Sequence, residues 1–259
     1  MKIALGLEYD GRDYYGWQLQ AGVASVQGAL EAALEKVAAG PVRVHCAGRT
    51  DTGVHASLQV VHFDCAAVRP ATAWVRGTNA HLPDSVAVLW AKEVGEDFHA
   101  RFCATGRHYR YVLINRPVRS ALQAGRAGWF HRPLDVDRMQ QAARHLVGTH
   151  DFTSFRAAAC QASGPVRSLS RASVRREGEK VIFEFSANAF LHHMVRNMVG
   201  ALVHVGKGGA DPAWIAELIE LRDRSRAAPT FSAAGLTLCG VDYPEHFALP
   251  WTHEGEAGR

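Results

Sequence analysis

What this chain lacks narrows it first. No apolar run is long enough to span a bilayer, so a membrane-spanning role is not expected. No two of its five cysteines, Cys46, Cys65, Cys103, Cys160 and Cys239, are spaced as CxxC. An odd, scattered set argues against a disulfide framework or a zinc site, and for reduced thiols in a cytoplasmic protein. The opening MKIALGLEYD carries Glu8 and Asp10, so a charged-then-apolar leader is not expected either. With 47% apolar and 21% charged residues over 259 positions, the composition is that of an ordered soluble protein with room for two compact cores.

A further absence is local. From Phe98 to Leu134 there is no Asp or Glu, while Arg101, Arg107, Arg110, Arg116, Arg119, Arg126 and Arg132 are all basic. The net charge of +4 decides nothing; its concentration in this run does. A guanidinium can grip two phosphate oxygens at once. Tyr109, Tyr111, Trp129 and Phe130 lie within the run, and aromatic rings among arginines suit base stacking. The plain alternative is a solvated basic face.

The patterning predicts alternating strands and helices. Ile3, Leu5, Leu7 and Tyr9 alternate as in a strand. Ser25 can cap a helix along Val26, Leu30, Leu34 and Val37, ended by Gly40. Val42, Val44 and Cys46 read as a second strand, Leu58 to Phe63 as a third, Ala73 to Leu82 as a helix and Val86 to Ala91 as a strand. The order is that of a ferredoxin-like βαββαβ half. The second half repeats it: a strand over Arg107 to Ile114, a helix from Asp135, a hairpin around EGEK, helices from Leu191 and Pro212, and GLTLCGVDY as the closing strand.

The fold class expected is therefore α+β, with two ferredoxin-like halves whose antiparallel sheets form a broad concave face suited to a polymer. The domains would span 1–100 and 107–246, followed by a polar tail over 247–259.

Chemistry centres on HCAGRTDTGVHA, His45 to Ala56. Asp51 follows a strand among Thr50, Thr52 and Gly53, turn-forming residues. It can be an Asx-turn residue serving only its own loop, or a carboxylate held at a site. If the segment is extended, Arg49 points the same way as Asp51. An aspartate needs no base to act as nucleophile, because it is ionised near neutrality. His55, His192 and His193 raise the question of a metal, but adjacent histidines on a helix diverge by about 100° and no i, i+4 pair occurs there, so none is expected. Arg196 falls at the polar edge of the helix stripe Leu191, Met194, Val195, Met198, Leu202 and Val205. Tyr109 and Tyr111 share one face of their strand, with Arg110 between them.

Taken together, YDGRDYYGWQLQ, GRTDTGVHA, DFHARFCATGRHYRYVLIN, GTHDFTSFR, FLHHMVRNMVG and GLTLCGVDYP resemble, in order, the motifs of the tRNA pseudouridine synthase A family, from Ile3 to Pro244. The chain departs from that pattern at Phe231 and Ser232, where an alanine and a proline are expected, which bears on the shape of that loop. The resemblance implies an isomerase of uridines 38, 39 and 40 in the tRNA anticodon arm. It makes Asp51 the catalytic group, Arg49 its neighbour, Tyr109 the ring that packs on the target base and Arg196 the partner of the aspartate. It also implies a homodimer, no metal and no organic cofactor; from the arginine run, Arg107, Arg110, Arg116 and Arg119 are expected as contacts to the RNA backbone. The rivals are a pure RNA-binding module, which leaves Asp51 without a role, and a hydrolase, which usually needs a second carboxylate.

Overall fold

The computed structural model describes residues 1–253. The chain divides into two compact units, one built from Met1–Arg107 together with the chain from Thr237, the other from His108–Leu236. Both mix helices with mostly antiparallel strands.

The first unit opens with β1 (Lys2–Tyr9), whose side chains are almost all buried. Helix α1 (Val26–Ala38) starts where expected: the Ser25 side chain accepts from the Gly28 N–H at 3.2 Å. It ends at Ala38, two residues before Gly40, with Ala39 as C-cap in the left-handed region at φ 54°. The second strand shrinks to β2 (His45–Cys46). The reason lies in α1, where buried Glu31 accepts from the Val44 N–H at 2.9 Å. A side chain takes the donor that a sheet neighbour would otherwise need. Then follow β3 (His55–Asp64), α2 (Ala71–Asn79) and β4 (Val86–Val94). β1 lies between β3 and β4, antiparallel to both, and β2 pairs with β3.

The second unit begins within β5 (Gly106–Asn115) and continues through β6 (Gly128–Phe130), α3 (Val136–Arg144), β7 (Gly148–Asp151), β8 (Val166–Glu177) and β9 (Lys180–Ala187). Its strand order is β5-β9-β8-β7, with β6 parallel to β5. EGEK makes the expected hairpin: Glu177 pairs with Lys180 and Gly178 turns at φ 60°. Asp135 caps α3 by accepting from the Arg138 N–H at 3.0 Å. Helices α4 (Met194–Gly206) and α5 (Trp214–Leu221) complete the unit.

The final strand, β10 (Leu236–Asp242), departs from the expected division of the chain. The sequence pattern places it in a second domain over 107–246, yet it pairs in parallel with β3, Thr237 opposite His55 and Leu238 opposite Ala56. An unpaired strand edge is a standing cost, and element order alone cannot say which sheet a strand will complete. The polar tail that begins at 247 is tied down as far as His253, which bridges to Gly240 and places Nε2 2.8 Å from Asp242 Oδ1. The remainder of that tail lies outside the described residues.

One buried histidine makes the first unit sensitive to acid. His62 on β3 accepts from the Ala100 N–H through Nδ1 at 3.1 Å, with the rings of His99 and His45 at 4.5 and 5.1 Å. Burial first, then those two rings and Lys2, push its pKa down to about 4 from 6.5, against a small opposite pull from Asp64. The folded chain thus refuses a proton that the unfolded chain takes up between those values, so stability is full above about pH 6.5 and falls toward pH 4. We expect urea midpoints to drop less between pH 7 and 4.5 in His62→Gln than in the parent; equal drops would assign the acid sensitivity elsewhere.

Candidate active site

Asp51 sits on the segment joining β2 to β3, and that segment is fastened at almost every residue. The Ala47 N–H donates to the Val60 carbonyl at 2.8 Å. Both polar groups of Gly48 meet the buried Gln59 amide, which donates to the Gly48 carbonyl at 2.6 Å and accepts its N–H at 3.4 Å. Arg49 is exposed, Thr50 buried and Asp51 half-buried, and Thr52, in the turn that follows, is exposed. Arg49 and Asp51 are thus both more open than the residue between them, the pattern of an extended segment whose Thr50 faces inward. A tight turn follows, with the Val54 N–H donating to the Asp51 carbonyl at 3.1 Å and Gly53 at φ 77°. That third position of the turn requires a residue at home in the left-handed region.

The opposite wall is a loop after β1 that sequence reasoning did not single out residue by residue. The Trp17 N–H donates to the Thr50 carbonyl at 3.0 Å, and the Tyr14 carbonyl accepts from the Gly53 N–H at 3.4 Å. Between them Gly16 stands at φ 84°, so close that a Cβ there would lie 2.7 Å from the Thr50 carbonyl oxygen and 3.0 Å from the Asp51 carbonyl carbon. The one available signal was a glycine inserted between Tyr15 and Trp17. His55, the first residue of β3, accepts from the Gly11 N–H through Nδ1 at 3.1 Å, and Asp10 is held by Arg12 in a two-point ion pair.

Tyr109 and Arg196 belong to the second unit. Tyr109 and Tyr111 lie on the buried face of β5, with Arg110 half-buried between them. The Tyr109 ring meets Phe190 edge-on at 5.1 Å. Helix α4 starts at Met194, three residues later than expected, because His193 adopts φ 62° and serves as its N-cap. Nearly every residue of this helix is buried; Arg196 is one of the few that reach partial exposure. It is fastened rather than loose: Nε donates to the Phe231 carbonyl at 2.9 Å, while its own carbonyl accepts from the Phe231 N–H at 3.2 Å.

The segment where the family pattern is broken is thus the one that holds Arg196. It holds Arg196 through its backbone, while the Phe231 ring meets Tyr111 edge-on at 5.9 Å. The Ser232 carbonyl likewise accepts from the Tyr111 hydroxyl at 2.9 Å. Beside Arg196, buried Asn197 donates to the Phe155 carbonyl at 2.7 Å and accepts from Thr230 at 2.7 Å. It ties the GTHDFTSFR and MVRNMVG stretches to the same segment.

The arginine run does not behave as one surface. Arg107, expected to touch RNA backbone, is buried, and its guanidinium donates to the carbonyls of Ala47, Arg101 and Ala104 at 3.0, 2.8 and 2.9 Å. A guanidinium spent on three carbonyls inside the fold braces it and is not offered to phosphate. Arg116 meets Glu179 from the hairpin turn at 2.9 Å; charge counted along the chain missed this acid because it arrives from another strand. Arg119 is exposed.

Comparison with known proteins agrees with the motifs. The family described as tRNA pseudouridine synthase matches residues 7–103 and 142–244. The tRNA pseudouridine synthase A of Dechloromonas aromatica (strain RCB) is 59% identical over 250 residues, covering 96% of this chain and 95% of that one. That of Thiobacillus denitrificans (strain ATCC 25259 / T1) is 57% identical over 254 residues, covering 98% of each. That of Yersinia pseudotuberculosis serotype O:1b (strain IP 31758) is 54% identical over 250 residues, 96% of this chain and 95% of that one. Among solved structures, a chain of a Cbf5-Nop10-Gar1 complex aligns over 91% of this chain and 57% of its own length, at 11% identity and a TM-score of 0.35, too slight a likeness to argue from.

The close seat of Gly16 makes a direct test of how firmly the Asp51 loop is held. Gly16→Ala adds left-handed strain and a contact with backbone that cannot swing aside, so we expect a loss of about 1–3 kcal/mol of stability, measured from urea unfolding. An unchanged midpoint would mean that the two loops part without cost.

Proposed function

This chain belongs to the tRNA pseudouridine synthase family, and on that premise we propose that it isomerises uridines 38, 39 and 40 of the tRNA anticodon arm with Asp51 as the catalytic group. As an isomerase of tRNA uridines it breaks the bond from ribose C1′ to uracil N1, turns the freed base and rejoins it through C5. No atom is gained or lost. The observation that carries the assignment to Asp51 is its half-buried, outward place beside exposed Arg49, on a loop whose backbone is fixed from both sides. A carboxylate held on such a loop can attack or take a proton without an adjacent base. Nothing in that step calls for a metal or an organic cofactor.

In this reading Tyr109 packs its ring against the target base and Arg196 meets the Asp51 charge. The first is supported by a ring seated on a strand and braced by Phe190, the second by a guanidinium that Phe231 holds in one orientation. A stacked uridine must leave its helix to be reached, at a cost of a few kcal/mol, and phosphate contacts offset part of it. Arg119 and Arg110 are the arginines of the notable run proposed for that role. The βαββαβ order of the first unit, with β1 between β3 and β4 and β2 beside β3, supports reading it as a ferredoxin-like half. The enzyme is proposed to work as a homodimer in the cytoplasm. Among the described residues no helix is long and apolar enough to cross a membrane, and none of the five cysteines is in a disulfide.

Asp51→Asn keeps the shape of the side chain and removes its charge. We expect no detectable pseudouridine by mapping of tRNA incubated with the variant, with affinity for tRNA within about a few-fold of the parent. Turnover in that variant, once deamidation is excluded, would end the assignment. Release of free uracil by the parent enzyme would instead indicate hydrolysis.

Tyr109→Phe should retain more activity than Tyr109→Ala, because stacking needs the ring and only proton chemistry needs the hydroxyl. Single-turnover rates at saturating tRNA decide it: equal losses in the two variants would give the hydroxyl a chemical part.

A further inference from the structure

Behind the Asp51 loop lies a buried polar chain that the reaction as described does not use. The Thr50 hydroxyl lies 2.8 Å from the Tyr9 hydroxyl, and both side chains are buried. Gln59, with no exposed surface, clamps both polar groups of Gly48. Tyr9 closes β1 and Gln59 lies within β3, strands paired with each other along most of their length. Two buried anchors thus run from paired strands to the loop, Tyr9 to Thr50 and Gln59 to Gly48, both on the N-terminal side of Asp51.

Neighbouring residues of an extended segment point to opposite sides. Drawing Thr50 inward therefore turns Asp51 outward, and a slip of one residue would bury the carboxylate and expose the threonine. Methyl groups alone would not specify this, since a buried threonine is no better packed than another small apolar residue. The hydroxyl does specify it. Burial holds the Tyr9 phenol far above its ordinary pKa, so it stays protonated and must keep a hydrogen-bond partner or pay the desolvation cost of an orphaned group.

We propose that Tyr9, Thr50 and Gln59 are positioning residues for the isomerisation, aiming the Asp51 carboxylate by fixing which side of the loop faces the interior. The proposal rests on the assignment of Asp51 as the catalytic group. It gives these residues no contact with the base or the ribose. Their loss is then expected to lower turnover and leave substrate binding alone.

The experiment compares Thr50→Val, Thr50→Ser, Tyr9→Phe and Asp51→Asn in the full chain, measuring single-turnover rate, tRNA affinity and thermal unfolding for each. Thr50→Val and Tyr9→Phe should be slower by about ten- to a hundred-fold, the scale of a small misplacement of a reacting group, with affinity within about two-fold. Thr50→Ser, which keeps the hydroxyl, should recover most of the rate. Should Thr50→Val fail to fold, Tyr9→Phe, which deletes one oxygen, carries the comparison. Parent rates in the Val and Phe variants beside an inactive Asp51→Asn would overturn the positioning role alone. So would a Thr50→Ser variant slowed as much as Thr50→Val, or losses that merely follow the unfolded fraction. An active Asp51→Asn would overturn the catalytic assignment itself, and the positioning role with it.

Discussion

A loop that carries a reactive carboxylate at the edge of a folded interior has to find a partner for each backbone N–H and C=O it buries. That constraint organises the first unit. Irregular backbone cannot satisfy itself as a helix or a ladder does, and each orphaned group would cost about 1–3 kcal/mol. Here the partners come from three directions: the Val60 carbonyl and the Gln59 amide on β3, Trp17 and Tyr14 from the loop after β1, and the turn closed between Asp51 and Val54. Each partner also fixes direction. The same bonds that make the loop affordable hold its carboxylate still.

The second unit solves the parallel problem for a cation. Arg196 is carried by a helix buried on nearly all sides, where a guanidinium left to itself would be costly. The segment from Pro229 to Ser232 supplies carbonyl oxygens to it and to Tyr111, and approaches α4 so closely at Gly200 that a Cβ there would lie 2.3 Å from the Pro229 carbonyl oxygen. Close approach, glycine and backbone acceptor go together. The Thr230 hydroxyl adds a side-chain tie to Asn197 on the same helix.

Much of this was legible from the chain. Alternation marked β1, Ser25 and Asp135 marked helix starts, EGEK marked a hairpin, and the Asp51 stretch stood out by its motif. What was hidden had physical reasons. The strand expected over Val42 to Cys46 lost most of its length because Glu31, thirteen residues before Val44, captured a backbone donor. The start of α4 moved because His193 took a left-handed conformation that histidine does not advertise. Tyr14 and Trp17 went unmarked because they act through main-chain atoms, which every residue has. Arg107 was misjudged because charge along a sequence does not say which carbonyls a long side chain will find.

The return of β10 to β3 has a consequence for how the molecule is made. Residues 108–236 form an uninterrupted stretch, whereas the first unit needs residues from both ends of the chain. A ribosome delivers the N-terminal strands first but withholds Thr237 and Leu238 until the whole intervening unit has been synthesised, a delay on the order of ten seconds. The unit that bears Asp51 begins first and closes last, so nascent chains still awaiting β10 hold β3 with that part of its edge unsealed.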